Sequence, residues 1–137
     1  MMHWAAQYVG KKHEIGGRGP DVFDCWGLLW WIYKHQFHID VPTLPGVSSG
    51  SALSIHREMC KHIRHVDWYL IHQPEDGCAV AMSQSHAYHH VGIYLEADGG
   101  KILHCWDNNN VVADTLRQLK LKGLKTIHFY KHSLWPT

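Results

Sequence analysis

An α+β fold, with helices first and an antiparallel sheet of about five strands after them, is what the sequence predicts. Three observations carry this. A long apolar run with helical spacing occupies the first third, short alternating segments fill the second half, and the periodicity changes after Pro74-Glu75-Asp76-Gly77. The 137 residues suit one domain spanning 1–137, with enough chain to bury a core.

The helical half begins with Trp4 to Val9, a short helix expected to end near Gly10. Gly16-Gly17-Arg18-Gly19-Pro20 reads as a loop, because glycine tolerates positive φ and proline blocks a continuing helix. Asp24 then stands where an N-cap belongs, before the run Cys25 to Phe37. Leu28, Leu29, Ile32 and Tyr33 recur there at helical spacing, and Trp30, Trp31 and Phe37 widen the apolar face. Val41-Pro42-Thr43-Leu44-Pro45-Gly46 ends this helix, and Ser51 to Val66 predicts another. The strands follow as Cys78 to Met82, His90 to Leu95, Lys101 to Trp106, Val111 to Leu116 and Thr126 to Lys131. Asp98-Gly99-Gly100 suits a hairpin between the second and third of these, and Asp107-Asn108-Asn109-Asn110 reads as a turn.

Composition excludes several function classes. Hydrophobic residues make up 45% and charged residues 18%, with a formal net charge of +1, so no basic field is present to attract nucleic acid. No apolar run approaches the ~20 residues of a membrane span. Met1-Met2-His3-Trp4 lacks the basic-then-apolar pattern of a secretory signal, so another carrier is expected if the target lies outside the cytoplasm. The four cysteines show no C-x-x-C spacing, so free thiols are expected, with Cys78 and Cys105 in the core. Fourteen histidines are scattered along the chain. His86, His89 and His90 form an H-x-x-H-H cluster, but neighbouring strand residues point to opposite faces and a zinc site needs about four converging ligands. No metal or cofactor is therefore expected.

The chemistry concentrates on Cys25 and His90. A thiol in the first turn of a helix meets unpaired amides and partial positive charge, which favour the thiolate and could hold an oxyanion. Alternation puts His90, Gly92 and Tyr94 on one face of their strand, and Gly92 lets a neighbouring element approach. On the next strand Ile102, His104 and Trp106 share a face, so pairing through the hairpin brings His104 beside His90. Nucleophile, base and orienting group are then together, as a cysteine peptidase requires.

Asp24-Cys25-Trp26-Gly27-Leu28, His90-Val91-Gly92-Ile93-Tyr94-Leu95 and Ile102-Leu103-His104 together resemble the NlpC-type papain-like cysteine peptidases, as do Gly16-Gly17 and Asp76-Gly77. The resemblance runs from about Gly10 to the last strand. It implies a papain-like fold, Cys25 as the acyl carrier, His90 as general base and acid, and His104 as the third polar residue. It also implies endopeptidase cleavage of the stem peptides of bacterial peptidoglycan. Two positions depart from the usual pattern. Trp26 replaces the common serine, and His13 stands where many members have a tyrosine that lines the substrate cleft. His13, Trp26 and Trp106 are accordingly the expected groove residues, facing substrate or a protein neighbour. The form Gly17-Arg18-Gly19-Pro20-Asp21 leading to Asp24-Cys25-Trp26-Gly27 resembles the members encoded with phage tail genes. That implies a virion-borne protein with tail-tip or hub proteins as partners. The alternative from another class is a structural tail-tip or tail-assembly subunit that keeps the fold with little or no activity, and a third is an acyltransferase or amidase.

Overall fold

The computed structural model describes residues 3–44, 53–60, 67–106 and 109–135. A 3-10 turn at Trp4–Gln7 precedes two very short parallel strands, β1 (Lys12–His13) and β2 (Val22–Phe23), that pinch the glycine-rich loop between them. Then come α1 (Cys25–Gln36), α2 (Leu53–Met59), β3 (Trp68–Ile71), β4 (Ala79–Ser83), β5 (His90–Leu95), β6 (Lys101–Cys105) and β7 (Val111–Asp114). The chain closes with α3 (Leu116–Leu121) and β8 (Thr126–His132). The main sheet is antiparallel throughout, with its six strands ordered β3-β8-β4-β5-β6-β7.

The α+β expectation is met, with the long helix starting at Cys25 as its N-cap requires. All five expected strands form, with ends shifted by at most two residues. The sheet gains β3 as a sixth. That edge strand carries exposed Tyr69 and Leu70 between half-buried and buried neighbours, so its sequence lacks the alternation that marks a strand. The segment expected to extend as strand to Leu116 turns instead into α3, where Thr115 and Gln118 form a capping box. The first helix is a 3-10 turn ending at Gln7, and the second is described only over Leu53–Met59 and Cys60; its expected residues 51–52 and 61–66 lie outside the described residues.

Both faces of the sheet are covered, which explains why β4 is buried at every position. On one face Ala79, Ala81, Val91, Ile93, Leu103 and Cys105 pack against Leu28, Leu29, Ile32 and Tyr33 of α1. On the other, Val80, Met82 and Ile102 meet Leu119 and Leu124, so α3 covers the side to which His90 and His104 point. None of the four cysteines forms a disulfide.

Gly27 fixes how α1 meets the preceding loop. A Cβ there would lie 1.9 Å from the Gly17 carbonyl oxygen, so the loop backbone occupies the space of a side chain. Gly27→Ala is expected to lower stability by about 1–3 kcal/mol through this overpacking. Thermal denaturation checks it, and an unchanged Tm would contradict the packing described.

Candidate active site

The first turn of α1 is held from outside the helix. Asp24 adopts extended backbone, and its Oδ1 accepts from the Gly27 amide at 2.6 Å. Its Oδ2 accepts from Arg18 Nη1 at 2.7 Å, and Arg18 also donates to the carbonyl oxygens of Gly17, Thr43 and Leu44. One guanidinium thus ties cap, glycine loop and post-helix segment together, so Cys25 starts a helix whose origin cannot drift. The partly exposed Cys25 thiol rests against the backbone amides of Trp26 and of Val91, the residue after His90. Thiol and histidine strand are therefore in contact.

His90 and His104 are buried, and their rings meet through a 2.8 Å hydrogen bond between His90 Nε2 and His104 Nδ1. Gly92 permits this. A Cβ at Gly92 would fall 2.6 Å from Ile102 Cγ2 and 3.1 Å from His104 Cβ, so any larger residue would push β6 away. Trp106 stacks on His90 with ring centroids 5.1 Å apart and planes inclined by 29°. Beyond His104 lies Asp114, whose Oδ2 accepts from His104 Nε2 at 2.8 Å and from the Lys122 ammonium. The signal for Asp114 was the alternation of β7, which puts it on the same face as Val112, opposite Ile102 and next to His104.

The remaining expected site residues divide. His13, half-buried on β1, and His89 are both close enough for their charges to act on His90. The His89 ring turns to the Gln84 amide, away from the partner of His90, so the H-x-x-H-H residues do not converge. Trp106 lies against the His90 ring. Trp26 does not line a groove: it is fully buried, packs edge-on to Trp68, and its indole N–H donates to the Pro42 carbonyl at 2.6 Å. The helix turns it inward from Cys25 into the core, where a serine could not fill the same volume.

Burial sets the protonation of the site. It pushes the Cys25 thiol up to about 12, helped by the nearby Asp24 carboxylate, and the Val91 and Trp26 amides only partly offset this. Desolvation and the capping carboxylate thus oppose the thiolate that a helix terminus favours. Burial likewise holds His90 well below the ordinary 6.5, with His104, His89, His13 and Lys122 adding positive charge against its protonation. His104 is also lowered, by burial first, although Asp114 pulls the other way. Burial favours neutral Asp114, but the hydrogen bonds from Lys122 and His104 prevail and keep its carboxyl below the usual range. At neutral pH the site holds a thiol, two neutral imidazoles and one carboxylate.

A thiol packed at a helix start against a histidine strand of an antiparallel sheet is the papain-like arrangement. The NlpC/P60 family profile matches residues 10–128, and the chain belongs to that family. It is 26% identical over 104 residues to the probable endopeptidase p60 of Listeria innocua serovar 6a, covering 76% of this chain and 19% of that protein. The probable endopeptidase p60 of Listeria seeligeri is 25% identical over 104 residues, covering 76% and 17%. The chain thus spans under a fifth of the length of these relatives. Among solved structures, the NlpC/p60 domain of the peptidoglycan hydrolase SagA superposes with a TM-score of 0.59 at 19% identity, covering 92% of this chain and 90% of that one. NlpC1 from Trichomonas vaginalis superposes with a TM-score of 0.64 at 19% identity, covering 97% and 42%.

Two pH effects follow from the directions above. Alkylation of Cys25 is expected to accelerate continuously from pH 7 past pH 9, with no plateau near neutrality, as read by mass spectrometry of the labelled peptide. A plateau below pH 8 would mean a resting thiolate. For stability, the folded histidines bind fewer protons than the unfolded ones below 6.5, so Tm should fall as pH drops through that value. Asp114 extends the loss below its ordinary 3.8, while the raised Cys25 makes stability fall again above 9.0. A Tm unchanged between pH 7 and pH 4 would contradict the buried neutral rings.

Proposed function

We propose that the chain is a cysteine peptidase that hydrolyses peptide bonds of bacterial peptidoglycan. The observation that carries this reading is the Cys25 thiol seated on the amide of Val91, the residue after His90, with the His90 ring hydrogen-bonded to His104. The names of the Listeria relatives, probable endopeptidases, and of SagA, a peptidoglycan hydrolase, support the same chemistry and substrate.

In this mechanism the Cys25 sulfur attacks the amide carbonyl while its proton passes to His90, so charge appears only as the reaction begins. The Gly27 amide is taken by Asp24, so the Cys25 and Trp26 amides of the first turn are the ones to face the developing oxyanion. His90 then gives its proton to the leaving amine, and the peptide bond breaks to leave a thioester on Cys25. Water attacks the thioester with His90 as base, which releases the acid and restores the thiol. His104 holds His90 through the 2.8 Å bond, and Trp106 covers its ring. His13, whose charge acts on His90, and Trp106, stacked on the His90 ring, are the residues assigned to contact the bound peptide. The phage-tail setting, with tail-tip or hub proteins as partners, rests on residues Gly17 to Gly27 alone.

Purified peptidoglycan digested with the protein should release soluble peptide fragments, identified by mass spectrometry. Cys25→Ala should release none, and His90→Ala should lose about 10²–10⁴-fold in rate. His104→Ala should fold and retain part of the activity. Chelator should leave the rate unchanged. Equal release by Cys25→Ala and the unaltered protein would overturn the proposal and leave the structural-subunit alternative.

A further inference from the structure

Proton positions on the two imidazoles can be read outward from Asp114. Its carboxylate only accepts, so the hydrogen in the 2.8 Å contact belongs to His104 Nε2. His104 is neutral, so its Nδ1 is bare and accepts. The hydrogen in the 2.8 Å contact between the rings must then sit on His90 Nε2. His90, neutral as well, is left with a bare Nδ1, the ring nitrogen nearer its own main chain. That main chain continues into the Val91 amide on which the Cys25 thiol rests.

We propose that Asp114, clamped by Lys122, is a positioning residue that fixes the tautomers of both histidines and so keeps Nδ1 of His90 open for the Cys25 proton. Its catalytic consequence rests on the peptidase reading; the tautomers themselves do not.

The surroundings are arranged to keep that carboxylate in place. Lys122 and His104 donate to the same oxygen, Oδ2, so a rotation of Asp114 would break both bonds. Lys122 caps the C-terminus of α3, which is pinned at one end by the Thr115–Gln118 box and in the middle by buried Leu119. Leu124 anchors the chain just beyond. Without the carboxylate, His104 gains the option of carrying its proton on Nδ1. His90 Nε2 would then have to accept, its own proton would move to Nδ1, and that nitrogen could no longer take one from the thiol. The ionised carboxylate also favours the imidazolium state that forms when the thiol proton arrives.

Long-range ¹H–¹⁵N spectra of histidine-labelled protein assign the tautomer of each ring. In the unaltered protein at neutral pH, His90 and His104 should both carry hydrogen on Nε2 alone. In Asp114→Ala, both should populate the Nδ1–H form, and kcat on peptidoglycan fragments should fall about 10²–10⁴-fold with KM little changed. Asp114→Asn should keep both tautomers, because Lys122 holds its amide oxygen, which still accepts, toward His104 Nε2, and should therefore be more active than Asp114→Ala. An Nδ1–H tautomer at His90 in the unaltered protein, or unchanged tautomers in Asp114→Ala, would overturn the proposal. Should Asp114→Ala not fold, the unaltered protein and Asp114→Asn decide it. Correct tautomers without peptidoglycan cleavage would instead count against the substrate assignment.

Discussion

Antiparallel pairing of β5 with β6 and of β6 with β7 is the constraint from which the site follows. Ile93 lies opposite Leu103 and Ile102 opposite Asp114, and in this register His90, His104 and Asp114 are diagonal neighbours on one face. Side chains alternate with a period of two, so a slip of one residue in β6 would turn His104 into the α1 side of the core. It would also carry buried polar rings into apolar surroundings without partners, at a cost of roughly 1–3 kcal/mol each. The apolar residues interleaved with the site, Val91, Ile93, Leu103 and Cys105 on one side and Ile102 on the other, therefore lock the polar ones in place. Core packing and site geometry are two consequences of one register.

Cys25 comes from the other layer, where its thiol meets the backbone of the His90 strand at the Val91 amide. Arg18 and Asp24 fix where α1 begins, Gly27 lets the Gly17 loop lie against its first turn, and α1 packs on β5. This close fit desolvates the thiol and imidazoles, which favours their neutral forms. A helix terminus contributes about 0.3–2 kcal/mol toward an anion, and one pKa unit corresponds to about 1.4 kcal/mol. Against a thiol pushed to about 12, the dipole is the smaller effect. The same desolvation makes the hydrogen bonds between the rings and Asp114 stronger than they would be in water, so a neutral site is also a well-ordered one.

Much of this was legible in the residues. Asp24 before Cys25 announced the helix start, the alternation around His90 and His104 announced two paired strands on a common face, and Asp98-Gly99-Gly100 announced their connection. In the structure that connection is a 3-10 turn at Ala97–Gly99, with both glycines at positive φ. What escaped had physical reasons. β3 is an edge strand exposed in its middle, and six-residue α3 is too short to display a helical period, although its Thr115 and Gln118 cap could be read. Asp114 was hidden because a carboxylate at a strand end usually meets solvent, and its role depends on Lys122 eight residues later. Trp26 misled for the opposite reason: nearness to Cys25 in sequence says nothing of direction, and the helix points adjacent side chains roughly 100° apart.

The account stands or falls on whether Cys25 becomes covalently acylated. Acid quenching within the first turnover on a stem-peptide substrate, followed by intact-mass and peptide analysis, reads this directly. The account predicts a mass increase equal to the acyl fragment, located on Cys25. Turnover with no adduct on Cys25, or with the fragment on another side chain, would contradict it.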